Sequence, residues 1–163
     1  MFQKGNFVMN AINGICEITD IVTIEVSGVE KEYYLLIPIE ERTAKVYIVV
    51  NDAEHKIRLV MTKEEALELM KEIPNIEELW VENEKERERL YKEVIASCNP
   101  KRLVSIIKTL YIRRKKRTDA GKKTTAVDER YFKMAENQLH AELAFALGEE
   151  KKNINQIIQE YIV

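Results

Sequence analysis

The chain has 163 residues, 45% of them hydrophobic and 33% charged, with a formal net charge of −2. That composition excludes a disordered chain and describes a globular protein of one domain or two small ones. No apolar run approaches the ~20 residues needed to span a bilayer, and the start, Met1-Phe2-Gln3-Lys4-Gly5, lacks a signal peptide's apolar stretch, so the expectation is a cytoplasmic protein. Cys16 and Cys98 each sit on an apolar stripe, which predicts buried free thiols rather than a disulfide or a metal pair.

The first sixty residues carry a period of two. Phe7-Val8-Met9 before Asn13-Gly14 is a candidate opening strand. Cys16, Ile18, Val22, Ile24 and Val26 then share one parity, interrupted by Asp20, and Glu17, Thr19, Thr23 and Glu25 the other. This is the signature of a half-buried strand with a bend near Asp20. Ser27-Gly28 turns the chain; Tyr33 to Ile37, Lys45 to Val50 and Ile57 to Val60 read as further strands, with a turn at Asn51-Asp52. Pro38 cannot donate to a ladder, which places that end of its strand at an edge. Five short strands in so few residues predict a small, strongly bent barrel, whose open edges can accept a partner's strand. With six Lys/Arg against nine Asp/Glu, this part is a poor phosphate binder and a plausible protein-binding module.

From Thr62 onward the period becomes 3.6, so the domains are expected at 1–61 and 62–163, the second an all-α bundle, and the fold class is α+β. Thr62 with Glu65 is a capping box; Ala66, Leu69, Met70 and Ile73 make the apolar face that follows, and Pro74 closes the helix. Asn83 with Glu86 reads as a second capping box ahead of the stripe Leu90, Tyr91, Val94, Ile95 and Cys98. Asn99-Pro100 starts the next helix, with Leu103, Ile106, Ile107, Leu110 and Tyr111 on one face, and Ala120-Gly121 stops it. Thr125 or Asp128 caps a further helix lined by Phe132, Ala135, Leu139, Leu143 and Ala146 and ended by Gly148. Asn153 to Tyr161 is a candidate last helix. The sum is a compact bundle of four or five helices.

Charge is concentrated between Lys101 and Lys133, where twelve Lys/Arg face only Asp119, Asp128 and Glu129, a local charge of +9. A basic corner between two helices suits phosphates. The bland alternative is a solvated helix end whose cations are favoured by the helix dipole. Catalytic signatures are missing: there is no phosphate loop, His140-Ala141-Glu142 is not a zinc-protease motif, and no Ser or Cys sits in a nucleophile motif. The expectation is a protein that is not an enzyme and needs no metal, cofactor or small-molecule substrate.

Several short stretches together resemble the bacterial CarD/CdnL transcription regulators. They are Met1-Phe2-Gln3-Lys4-Gly5, Gly14, Glu32-Tyr33-Tyr34-Leu35, Leu79-Trp80, Ile107-Lys108-Thr109-Leu110-Tyr111-Ile112-Arg113 and Glu142-Leu143-Ala144, in the family's order over nearly the whole chain. The resemblance implies a Tudor-like N-terminal domain that docks on the RNA polymerase β subunit; a similar domain occurs in the transcription-repair coupling factor. It also implies a helical domain that holds promoter DNA at the upstream edge of the transcription bubble, and so a cytoplasmic protein associated with the nucleoid through polymerase. Trp80 matches the family's tryptophan, which wedges into the minor groove. Lys92 and Arg130 match family basic residues; Arg89, Lys122, Lys123 and Lys133 complete the expected DNA contacts. Ile24, Lys45 and Tyr47 are the candidate polymerase contacts.

The chain departs from the family in three places. The opening reads Gly5-Asn6-Phe7-Val8-Met9-Asn10-Ala11 where relatives commonly have G-D-x-V-x-Y-P. Ile24 and Tyr47 stand where relatives carry bases. Glu82, Glu84, Glu86 and Glu88 intervene between Trp80 and Arg89. By itself, a sole Trp in a bundle reads as core; its polar neighbours Glu77, Glu78 and Glu82 favour exposure. The alternatives to a polymerase-bound regulator are a protein–protein adaptor without DNA contact and a stand-alone RNA or single-strand binder, which the negative first domain disfavours.

Overall fold

The computed structural model describes residues 1–79, 81 and 83–162, the side chains of Tyr161 and Ile162 excepted. The chain divides into two compact units, Met1–Val60 and Met61–Val163.

The first unit is a five-stranded antiparallel sheet in the order β4-β3-β2-β1-β5, built from β1 (Phe7–Asn10), β2 (Gly14–Val26), β3 (Val29–Pro38), β4 (Val46–Val49) and β5 (Ile57–Leu59). A 3-10 turn over Val50–His55 links the last two, where the sequence predicts a turn at Asn51-Asp52. Strands β4 and β5 are the ends of the sheet order, so each carries a main-chain edge. Ser27 and Gly28, at φ 54° and 79°, form the two-residue turn between β2 and β3, with Val26 opposite Val29. Two positive φ angles in succession match the right-handed twist of a hairpin, and glycine takes the second without penalty. Pro38 lies beyond the last β3–β4 pair, Leu36 with Val46, so its missing N–H costs that ladder nothing.

The bend in β2 is a bulge. Ile18 pairs with Leu36 and Asp20 with Leu35, leaving Thr19 as the extra residue. One extra residue moves every later side chain to the opposite face. Cys16 and Ile18 therefore face the core with Tyr34, Leu36 and Ile48, all buried, but Val22 and Ile24 do not. They lie on the other face, across from Tyr33 and Lys31. The parity that groups Cys16 to Val26 on one side holds only as far as Ile18. In the core, Tyr34 also ties down the chain start: its hydroxyl accepts from the Phe2 N–H at 3.2 Å, and the two rings meet edge to face at 5.9 Å.

The second unit contains α1 (Lys63–Glu72), α2 (Glu84–Ser97), α3 (Pro100–Asp119), α4 (Ala126–Leu147) and α5 (Lys151–Ile162), with a 3-10 turn over Ile73–Asn75. Thr62 and Glu65 make the expected capping box. Asn83 caps α2 through the Lys85 N–H, and the Glu86 carboxylate, expected to complete a capping box, accepts from Arg89. Asn99 caps α3, and Thr125 rather than Asp128 caps α4. Helix α3 closes in a Schellman motif: the Lys122 N–H donates to the Arg117 carbonyl at 2.8 Å and the Gly121 N–H to Thr118 at 3.0 Å, with Gly121 at φ 74°.

The apolar stripes meet in one core, including Leu103, Ile106 and Leu110 of α3, Tyr91 and Val94 of α2, and Leu139 and Leu143 of α4. Each fully buried Leu or Ile contributes about 1.5–3 kcal/mol of transfer free energy. The fully buried Glu142 is satisfied by the Met61 N–H at 2.8 Å, which fixes the entry of the chain into this unit.

Candidate functional site

The arginines and lysines of the basic stretch do different things. Arg113 donates to the buried Asp128 at 2.7 Å and to Glu84 at 3.0 Å. Arg87 donates to Glu84 and to the Tyr91 hydroxyl, which donates to Asp128, so five side chains close a ring across α2, α3 and α4. Burial raises the Glu84 carboxyl, but Arg113 and Arg87 together outweigh it and hold the group below its ordinary value. Burial likewise opposes the charge on Arg113, and Asp128 and Glu84 more than compensate. Arg114 makes a two-pronged pair with Glu129, both bonds 3.1 Å, with its guanidinium over the Phe132 ring at 4.3 Å. Arg117 donates to the Lys123 carbonyl at 2.8 Å. These planar cations hold the helix ends together, the use for which arginine's fixed fork suits it.

The lysines are left over. Among the described residues, Lys115 and Lys116 at the end of α3, Lys122 and Lys123 in the connection, and Lys133 in α4 are exposed and have no ion-pair partner. They cluster at the corner where α3 runs into α4, close to the carbonyl end of α3. Charge counting along the sequence puts twelve cations here; the folded unit offers these five to a partner. Lys115 and Lys116 are absent from the sequence-derived contact set, because a run of five bases gives no sign of which members fold inward.

The other candidate DNA contacts sit differently. Arg89 pairs with Glu86 at 2.5 Å, and Lys92 and Arg130 both approach Glu88, at 3.9 and 2.8 Å. Arg130 also lies over the Tyr131 ring at 4.9 Å. All three remain exposed, so a phosphate would compete with a surface carboxylate rather than with a buried one. Trp80 lies outside the described residues. Near the segment that carries it, a pocket of about 190 Å³ is lined by Leu79, Val81, Thr109 and Ile112, with Arg87, Arg113 and Lys116 among its cations.

In the first unit, Ile24 and Tyr47 share the face opposite the core. The cross-strand pairs Val22–Tyr33, Tyr33–Val49 and Leu35–Tyr47 make a contiguous half-exposed apolar strip, with Tyr33 and Tyr47 edge to face at 6.5 Å. Lys45 is exposed just before β4, beside the strip. Strand β4 thus presents an open main-chain edge and an apolar outer face together.

Among the described residues no group of three or more His, Cys, Asp or Glu side chains is placed to hold a metal ion, and no helix is long and apolar enough to cross a membrane. Both cysteines are buried and neither is in a disulfide, and burial raises the Cys16 thiol to about 11.

The fold is thus an antiparallel-sheet module followed by a helical one with a lysine-rich corner. Comparison with known families adds that residues 2–61, nearly the whole N-terminal unit, match the CarD-like/TRCF RID domain. This is a Tudor-like domain family that interacts with the RNA polymerase β subunit. No curated protein matches the chain.

Proposed function

We propose that the protein is a bacterial transcription regulator that docks on the RNA polymerase β subunit through its N-terminal unit. Its helical unit holds promoter DNA near the upstream edge of the transcription bubble and stabilises the open complex, with Trp80 as the wedge. The observation that carries this reading is the RID match over residues 2–61, on a sheet whose β4 edge and outer apolar strip are free to receive a partner's strand. Main-chain pairing tolerates the replacement of basic contacts by Ile24 and Tyr47. The five unpaired lysines supply a phosphate grip. No catalysis is required, because a ligand that binds the open form better than the closed form shifts the equilibrium by that difference. The test is co-elution of the full chain with polymerase core and with the isolated β lobe. Binding to both is expected, weakened by Tyr47→Glu, which puts a charge on the outer strip; failure to bind either refutes the reading.

A protein–protein adaptor is the second reading, favoured by the carboxylates that Arg89, Lys92 and Arg130 already face. It predicts polymerase binding with no change in the promoter DNA footprint.

A further inference from the structure

The described residues between Asn75 and Glu84 form neither helix nor strand, so their backbone groups need partners elsewhere. Helix α3 supplies them. The N–H of Leu79, the residue before Trp80, donates to the Thr109 hydroxyl at 2.8 Å, and that hydroxyl donates to the Ser105 carbonyl at 2.7 Å. Both hydrogen-bonding capacities of one nearly buried side chain are used. The neighbouring Lys108 ammonium donates to the Ile73 carbonyl and, at 2.7 Å, to the Ile76 carbonyl. It caps the end of the 3-10 turn, where helical carbonyls run out of partners. Burial pulls the Lys108 ammonium below its ordinary value, and nearby Glu78 opposes that. Lys108 is therefore committed inside the unit, unlike the lysines further along α3.

Seven residues beyond Thr109 on the same helix is Lys116, about 10 Å along the axis at 1.5 Å per residue. One rigid element thus carries both the anchor of the Trp80-bearing segment and the start of the lysine corner. We propose that Lys108 and Thr109 are positioning residues, a latch that holds the Trp80-bearing segment at a fixed offset from the lysines, so that wedge and phosphate grip register on one duplex. The latch rests on the reading of Trp80 as a DNA contact.

Trp80 is the only tryptophan in the chain, so its emission reports this segment alone. The test uses the full-length protein with Thr109→Val, Thr109→Ser and Lys108→Met. Steady-state anisotropy and acrylamide quenching are read on the free protein, and heparin-challenged open complexes are timed with polymerase. Thr109→Val keeps the shape and removes the hydroxyl; it is expected to lower the anisotropy, increase quenching and shorten open-complex lifetime by about three- to tenfold. Lys108→Met is expected to act in the same direction. Thr109→Ser keeps the hydroxyl and loses the methyl, so it restores wild-type values if the hydrogen bond is what matters. A packing role predicts that Ser fails and Val succeeds, which overturns the latch. Unchanged anisotropy and quenching in both Thr109→Val and Lys108→Met also overturn it. In a Trp80→Ala background, Thr109→Val is expected to cost no further lifetime; an additional loss of the same size overturns the link to the wedge. If Trp80→Ala itself leaves lifetimes unchanged, the parent reading fails, while the fluorescence arm still decides whether the anchor exists.

Discussion

Removing the unpaired lysines and removing the paired cations predict different salt dependences for DNA binding. A phosphate contact releases condensed counterions only to the extent that the cation arrives unneutralised, and each full contact contributes about 0.9 to the slope of log affinity against log salt. Lys115, Lys116, Lys122, Lys123 and Lys133 face solvent without a carboxylate. Replacing all five by Gln is therefore expected to lower the slope by up to about 4.5 on duplex DNA. Arg89, Lys92 and Arg130 begin in ion pairs with Glu86 and Glu88. Their replacement by Gln removes three cations and leaves Glu86 and Glu88 without these ion-pair partners, but a cation already neutralised by a carboxylate releases fewer counterions when it meets a phosphate. The expected slope change is well below the about 2.7 that three free contacts would give. The assay is fluorescence anisotropy of a labelled duplex over a salt series, at constant pH. Equal slope changes per residue in the two sets refute the division between free lysines and committed cations. An unchanged slope in the five-lysine variant leaves the corner as a solvated helix end.

Other consequences concern stability. Asp128→Ala leaves the partly buried Arg113 and the buried Tyr91 hydroxyl without their shared acceptor and is expected to cost about 3–5 kcal/mol in urea denaturation; a midpoint within error of wild type would sink the ring as a structural element. His140 is buried with its Nε2 unpartnered, and burial first, then Lys151, lower its pKa from 6.5 to about 4 against an opposing Asn155. Since protonation favours the unfolded chain, its contribution is present above pH 6.5 and is lost as pH falls toward 4, up to about 3 kcal/mol. A His140→Gln variant is expected to show a shallower fall in Tm over that window, and an unaltered pH profile argues against it.

The α-helical half was largely legible because its signals are local. Thr62 with Glu65, Asn99-Pro100 and Ala120-Gly121 fix helix ends through their own backbone geometry, and a stripe such as Leu103 to Leu110 needs no knowledge of its partner. The register of β2 was not legible past Ile18, since a bulge at Thr19 is decided by the pairing with β3 and reverses the parity of all that follows. The same limit hid the apolar strip around Tyr33 and Tyr47, which exists only once three strands are side by side. At the basic corner the composition was visible but the assignment of each cation was not. Which guanidinium reaches Asp128 or Glu129 depends on how α3 and α4 cross. The Thr109 and Lys108 anchors join residues about thirty positions apart in sequence and leave no local signature.

The central claim is that the helical unit acts on distorted promoter DNA while the N-terminal unit holds polymerase. Its most direct test is the decay of heparin-challenged open complexes with wild-type protein and with Trp80→Ala, beside the β-lobe affinity and thermal melt of both. The expected result is unchanged affinity, a near-normal melt, and faster decay by about tenfold for each ~1.4 kcal/mol of wedge energy lost. Equal decay rates contradict the claim, as does a drop in melting temperature large enough to account for the faster decay through the unfolded fraction alone.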